Sequence, residues 1–353
     1  MKKTAAILAF LLLAGTLPSL AETSLLTKDG TLFEALLAPP ADAVVGYEGP
    51  APGSLVVRVT APDGSSRVET VSESTGQDGL KPWVLEFEPA TQTLFVVYTQ
   101  STGVMSNVFV AMRRNLTWSS RVVLANPGLY LSLNPKAVVT RQSFRDVDAA
   151  GKPVAKVRSI LSLVWWEENG SSQARYAPVF VEDGILKLDE IAGYNLNELA
   201  GSTGATTAGT LPVSAYAFPA IQRDPASNGG VTVSFANLAD QTHTALRISF
   251  PEDVSKLLVE RPGEIALAQA RAHVPVGREP VRGRIQISID TAGDVEASIS
   301  PSGVTNFYWQ AGPVLRYIGS DAAAGVKPKA IHLRKDLSLD KAVSIVREMT
   351  ARD

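Results

Sequence analysis

Several residues in this chain have types and spacings that suggest chemistry, and carboxylates come first. Glycoside cleavage takes two carboxyl groups flanking the scissile bond at about 5–9 Å. The most suggestive acidic pair is Glu167-Glu168, directly after Trp165-Trp166. The segment reads as a strand, where successive side chains point to opposite faces, so both carboxylates cannot enter one cleft. One Glu beside a Trp would make a sugar platform. The residues favour a plainer expectation: one Trp packs between sheets, and the Glu pair marks the strand's exit to solvent.

Asp146-Val147-Asp148-Ala149-Ala150-Gly151 opens like a calcium loop. It lacks the third acidic ligand and the bidentate Glu that bring such a site to six or more oxygens, so a solvated turn is expected. The run 204–210 has the glycine spacing of a phosphate loop but no Lys before its Thr, and reads as a flexible loop. His243, His273 and His332 share no ligand spacing, and there is no Gly-x-Ser-x-Gly elbow. With zero cysteines, disulfides, thiol catalysis, iron–sulfur clusters and cysteine-based zinc sites are excluded together. The expectation is no catalytic residue, no metal ligand and no cofactor, with binding residues unassigned. Asn115-Leu116-Thr117 and Asn169-Gly170-Ser171 fit the glycosylation sequon.

The elements that would position any site begin after a leader. Met1-Lys2-Lys3 is a positive start, the stretch 5–17 is apolar, and Ser19-Leu20-Ala21 supplies small residues at the two positions read for cleavage. Residues 1–21 therefore read as a signal peptide cut before Glu22, too short to span a bilayer. The expected product is a periplasmic or secreted protein with no membrane span. Losing Lys2 and Lys3 takes the formal charge from −2 to about −4. The basic residues form no stripe, which leaves nucleic-acid binding unsupported.

Beyond the leader the dominant period is two. Lys28-Asp29-Gly30 and Pro62-Asp63-Gly64 read as hairpin turns, because Gly accepts positive φ at no steric cost. Leu94–Tyr98, Leu163–Trp166 and Val231–Phe235 align as a weak repeat. Each is preceded by a shorter strand and followed by another, with residues 141–156 and 201–210 as loop insertions. Removing the insertions leaves roughly the 40–50 residues of a four-stranded propeller blade. From Pro251 the pattern changes: Ile265–Ala272 reads as a short helix, Ile285–Ile289, Val295–Ile299 and Phe307–Trp309 as strands, and Leu339–Met349 as a terminal helix capped by Ser338. The expected organisation is a leader (1–21), a β-propeller-like domain (22–250) and a mixed β/α region (251–353) that is either separate or part of the same domain.

The stretch Leu94-Phe95-Val96-Val97-Tyr98-Thr99, then Val108-Phe109-Val110-Ala111, Asn115-Leu116-Thr117-Trp118 and Arg121-Val122-Val123-Leu124 resembles one blade of the sialidase-like Asp-box (BNR) β-propellers. The box would be 111–118. Thr117 and Trp118 match it, while Arg113 stands where the family has Asp and Asn115 where it has Gly. Asn accepts the left-handed conformation, so the turn is expected to keep its shape. The resemblance covers residues 80–250 and implies a mainly β fold, a propeller of about six blades with a short helical C-terminal segment; a β-sandwich is the alternative. Sialidase activity would require the family's Phe/Tyr-Arg-Ile-Pro signature. The nearest match, Phe144-Arg145-Asp146-Val147 in an apparent polar loop, departs at both defining positions. No catalytic residue carries over. The functional expectation is an exported, non-catalytic propeller for an unidentified ligand or protein partner, a glycan among the candidates; the alternative is a glycan-active enzyme whose site is assembled from separate blades.

Overall fold

The computed structural model describes residues 24–38, 53–73, 83–101, 106–114, 116–124, 131–148, 150–168, 172–188, 193–201, 219–237, 242–250, 258–268, 286–288, 296–300, 304–311, 314–319 and 329–332. The chain divides into two compact units, Met1–Thr75 and Gly76–Asp353. The described residues are mainly β. They form five sheets, each built around four strands laid down in chain order.

The first unit holds sheet one: β1 (Ser24–Leu26), β2 (Leu32–Leu37), β3 (Leu55–Thr60) and β4 (Ser66–Ser72). Both expected hairpin turns are present. Gly30 and Gly64 take φ of +86° and +85°, where a Cβ would be strained. Asp63 Oδ1 accepts from the Ser65 backbone N–H at 2.8 Å, closing the second turn from the side chain.

The second unit holds four sheets. Sheet two is β5 (Trp83–Glu88), β6 (Thr93–Ser101), β7 (Ser106–Arg114) and β8 (Thr117–Leu124). Sheet three is β9 (Leu131–Val147), β10 (Pro153–Glu168), β11 (Ser172–Glu182) and β12 (Ile185–Leu188), with β13 (Tyr194–Asn195) also paired to β11. A single helical turn, α1 (Leu196–Leu199), follows; the Asn195 side chain caps it by accepting from the Asn197 N–H. Sheet four is β14 (Ala220–Arg223), β15 (Val231–Asn237), β16 (Thr242–Ser249), β17 (Leu258–Ala268) and a parallel β18 (Gln286–Ser288). Sheet five is β19 (Glu296–Ile299), β20 (Thr305–Ala311), β21 (Val314–Gly319) and β22 (Lys329–His332).

Strand β10 explains how the sheets pack. Leu161, Leu163 and Trp165 join Phe95, Val97, Val108 and Val110 of sheet two in one apolar core. Ile160, Val164 and Trp166 join Val231, Val233, Phe235 and Leu246 of sheet four in another. Alternate residues serve opposite neighbours, which is why the strand reads as a nearly continuous apolar run from Ile160 to Trp166, interrupted by Ser162. A two-layer sandwich buries one face of each sheet; sheet three is covered on both, and this overturns the sandwich alternative. The first strands β5, β9, β14 and β19 lie beside one another in that order. The three aligned repeat segments are the second strands of sheets two, three and four. Five blade-like sheets stand where the spacing suggested about six, and no closed ring is present among the described residues.

Two further expectations change. Residues 141–156 are not a loop insertion: β9 and β10 continue pairing up to Val147↔Pro153, and the turn is only Asp148–Lys152. Residues 265–268 are strand rather than helix, because β17 is paired on both sides, to β16 and β18. Pro262 falls in the register shift between Gly263 and Glu260, where its missing N–H breaks no ladder bond. Pairing also runs across residue 250, from β16 to β17. The segments 269–272 and 339–349 lie outside the described residues. The Asp-box segment falls on the β7–β8 turn, between the third and fourth strands of its sheet. There the left-handed residue is Leu116, at φ +66°, and Thr117 Oγ1 donates to the Arg114 carbonyl at 2.8 Å; Asn115 itself lies outside the described residues.

Candidate functional site

Each first strand is the edge of its sheet, so one row of its backbone polar groups has no ladder partner. Side chains from neighbouring sheets meet that need in unit two. Glu86 on β5 accepts from the Val139 N–H of β9 at 3.1 Å, and from Arg223 of β14 at 3.2 Å through the same Oε2. One carboxylate oxygen thus ties three sheets together. Burial pushes its carboxyl above the ordinary range, with the Arg223 charge and the Val139 N–H pulling the other way. Thr140 Oγ1 donates to the Gly229 carbonyl at 2.8 Å. Asn228 accepts from Ser143 N at 3.0 Å and donates to Ser143 O at 2.7 Å, so its amide pairs with the β9 edge as a strand residue would. Gln222 of β14 donates to Glu296 of β19.

Above these contacts, where the C-terminal ends of β5 and β14 meet the middle of β9, opens a cleft of about 390 Å³. Its charged lining is Glu88, Arg141, Arg223 and Asp224, with Thr140 and Ser227 adding hydroxyls. Glu88 is 3 % exposed; it accepts from the Ala90 N–H at 3.0 Å, and from Ser159 Oγ at 3.5 Å. Asp224 accepts from Arg247 Nε at 2.6 Å and from the Ala226 N–H at 3.0 Å. Arg223 keeps 57 % of its side chain exposed, and Arg141 is exposed. The turn from Asp224 to Gly230 can lie this close because Gly229 has φ +74° and a Cβ there would meet Gln142 Cβ at 2.9 Å. Two held carboxylates, two solvent-facing guanidinium groups and hydroxyls make a surface that donates and accepts hydrogen bonds over a short span.

The residues singled out from the sequence lie elsewhere. Trp165 and Trp166 are 0 % and 2 % exposed, on opposite faces of sheet three, so neither is a platform. Glu167 does not mark an exit to solvent: it is 1 % exposed and pairs with Arg175 Nη2 at 3.2 Å. The Glu168 side chain lies outside the described residues. Asp148 Oδ1 accepts from Ala150 N and Lys152 N, both at 2.9 Å, closing a turn, while Asp146 pairs with Lys156. Phe144 and Arg145 lie in strand β9 rather than a polar loop. The Arg158 guanidinium stacks over Phe144 and Phe180 at 4.9 and 4.0 Å. His243 is buried edge-on to Phe307 and His332 is exposed on β22. His273, the run 204–210, Asn115 and Asn169 lie outside the described residues. Among the described residues no group of three or more His, Cys, Asp or Glu is placed to hold a metal, and no helix is long and apolar enough to cross a membrane.

The cleft residues were missed because they are scattered over three sheets. Their one local signal is polar residues in matching positions: Glu86 and Glu88 alternate on β5, and Gln222-Arg223-Asp224 closes β14.

No protein-family model matches the chain, and no curated protein matches it. Among solved structures it is similar to an α-L-arabinofuranosidase from Lactobacillus brevis, at 11 % identity and TM-score 0.31 over 90 % of each chain. It is similar to the polysaccharide lyase Uly1 at 9 % and 0.35, covering 88 % of this chain and 77 % of that one. A third is an endo-arabinase from Bacteroides thetaiotaomicron VPI-5482, at 13 % and 0.27, with 91 % and 96 % covered. At these values the likeness assigns no role to any residue.

Proposed function

We propose that this chain is exported and that the cleft between the ends of β5 and β14 and the middle of β9 binds a glycan, of one or two sugar units at a time. The observation that carries the reading is the gathering of Glu88, Arg141, Arg223 and Asp224 from three sheets around one opening. Its volume falls within the 300–1,000 Å³ of small-molecule sites. Vicinal hydroxyls present paired donors and acceptors, which carboxylates and guanidinium groups match together. The carboxylates lining the cleft are already held by Arg247, Ser159 and backbone N–H groups, an arrangement suited to orienting a ligand. Calorimetric titration of the chain beginning at Glu22 with neutral and acidic oligosaccharides tests this. Binding that weakens at least tenfold in Arg223→Ala supports it; no binding to any sugar sinks it. Mass spectrometry of the chain recovered from expressing cells tests export, since a product that retains Met1 contradicts it.

A second reading makes the same cleft catalytic. It is favoured by Glu88 and Asp224, two carboxyl groups lining one opening, as glycoside cleavage requires of its acid and base. Hydrolysis or elimination of a glycan by the wild type and its loss in Glu88→Gln would establish this reading; binding without turnover would leave the first.

A further inference from the structure

At the end of sheet three away from the cleft, the apolar core between sheets two and three gives way to a polar layer. Thr99 follows Val97 by two residues on β6, and Ser106 precedes Val108 by two on β7, so both face sheet three. From the other side, Glu167 follows Trp165 by two on β10, while Arg175 stands directly opposite Trp165 and Ser132 opposite Glu167. The register of β9 and β10 skips at Trp165, leaving Asn134 and Pro135 in a bulge against it; Asn134 sits at φ +48°. The two sheets are in direct contact here. Ser132 N donates to Ser106 Oγ at 2.6 Å, and Ser132 Oγ donates to Ser106 O at 3.2 Å.

The serine pair is satisfied and its neighbours are not. Thr99 Oγ1, Asn134 Oδ1, Trp165 Nε1, Glu167 Oε2 and Arg175 Nε are all buried without a hydrogen-bond partner among the described residues. Thr99, Asn134, Trp165 and Glu167 are at most 3 % exposed as whole residues. Five unpaired buried polar atoms in one layer would cost an amount comparable with the net stability of a whole domain. Buried polar groups in native proteins are met by another protein group or by ordered water. Two of these atoms are N–H donors, two are oxygen acceptors, and the hydroxyl is either. A cation would be repelled by Arg175, and an anion by Glu167. Water both donates and accepts, and an internal water needs two to four polar partners.

We infer that sheets two and three enclose ordered water between Thr99, Asn134, Trp165, Glu167 and Arg175, as a fixed part of the structure and separate from the cleft. A crystal structure of the chain beginning at Glu22 should show solvent density within about 2.7–3.2 Å of Trp165 Nε1 and Glu167 Oε2. Empty density there, or side chains turned to satisfy one another, overturns the inference. Thr99→Val, which keeps the shape of the side chain, reads the same question through the sign of a thermal shift. In a hydrated layer it removes a water ligand, and the melting temperature falls. In a dry layer it removes an orphaned polar atom, and an unchanged or higher melting temperature refutes the water.

Discussion

Strands β9 and β10 pass through two environments. From Ser159 to Glu167 they lie within a sheet covered on both sides, and β10 reads Ser-Ile-Leu-Ser-Leu-Val-Trp-Trp-Glu with every described position buried. From Ser143 to Val157 the same two strands leave the sheet as a ribbon, with Val147 and Val157 61 % and 54 % exposed. The pairing register is continuous from the ribbon into the sheet as far as Val164, where the bulge at Trp165 interrupts it; across that span only the packing differs. Packing holds the buried part, whereas an isolated two-stranded ribbon is marginal in water. The ribbon is anchored at its root. Arg158 lies between the Phe144 and Phe180 rings, donating to Gln142 at 2.9 Å and to Glu182 at 3.2 Å, while Gln142 donates to the Phe250 carbonyl and Asn228 clasps Ser143.

Substitutions should separate the two regions, and the largest effect belongs to the core. Trp165→Ala leaves a cavity between sheets two and three and should cost about 3–5 kcal/mol in urea unfolding; a loss under about 1 kcal/mol would mean that sheet two does not close on that face. Arg158→Met keeps bulk but removes the charge under Glu182, which Lys187 still contacts. About 2 kcal/mol is expected, with faster amide exchange in residues 143–157 than in 160–166. Equal exchange in both would show that the root does not anchor the ribbon.

Glu86 sharpens the comparison through pH. Its folded carboxyl titrates above the ordinary 4.5, so between 4.5 and that raised value the folded chain binds more protons than the unfolded one. Its contribution to stability is therefore largest below 4.5 and declines as pH rises through this window. Melting temperatures measured across pH 4–7 should show a shallower decline in Glu86→Gln; an identical profile would remove Glu86 from the account. The smallest effect belongs to the ribbon surface. Lys156→Ala breaks an exposed ion pair with Asp146 and should leave the melting temperature unchanged.

What the sequence revealed follows the same division. The hairpins at Gly30 and Gly64 and the second strands of three sheets were legible, because turn chemistry and two-sided burial both leave strong local marks. The ribbon was not: Arg145, Asp146, Lys152 and Lys156 are polar, and its regularity lies in backbone hydrogen bonds that composition does not record. Ala-rich 265–268 favours a helix locally, and pairing with β16 and β18 prevails. The cleft was the least legible part, since Glu88, Arg141 and Asp224 are far apart in sequence and only the adjacency of first strands brings them together.

The contacts that place the cleft also bear on self-association. A seventeen-residue edge strand such as β9 is a template on which a second chain can add by backbone pairing. Here Glu86 occupies the Val139 N–H, and Asn228 occupies both backbone groups of Ser143. The edge is blunted from within the molecule by side chains of sheets two and four, a safeguard against edge-to-edge aggregation for a protein with no cysteines to lock its strands in place.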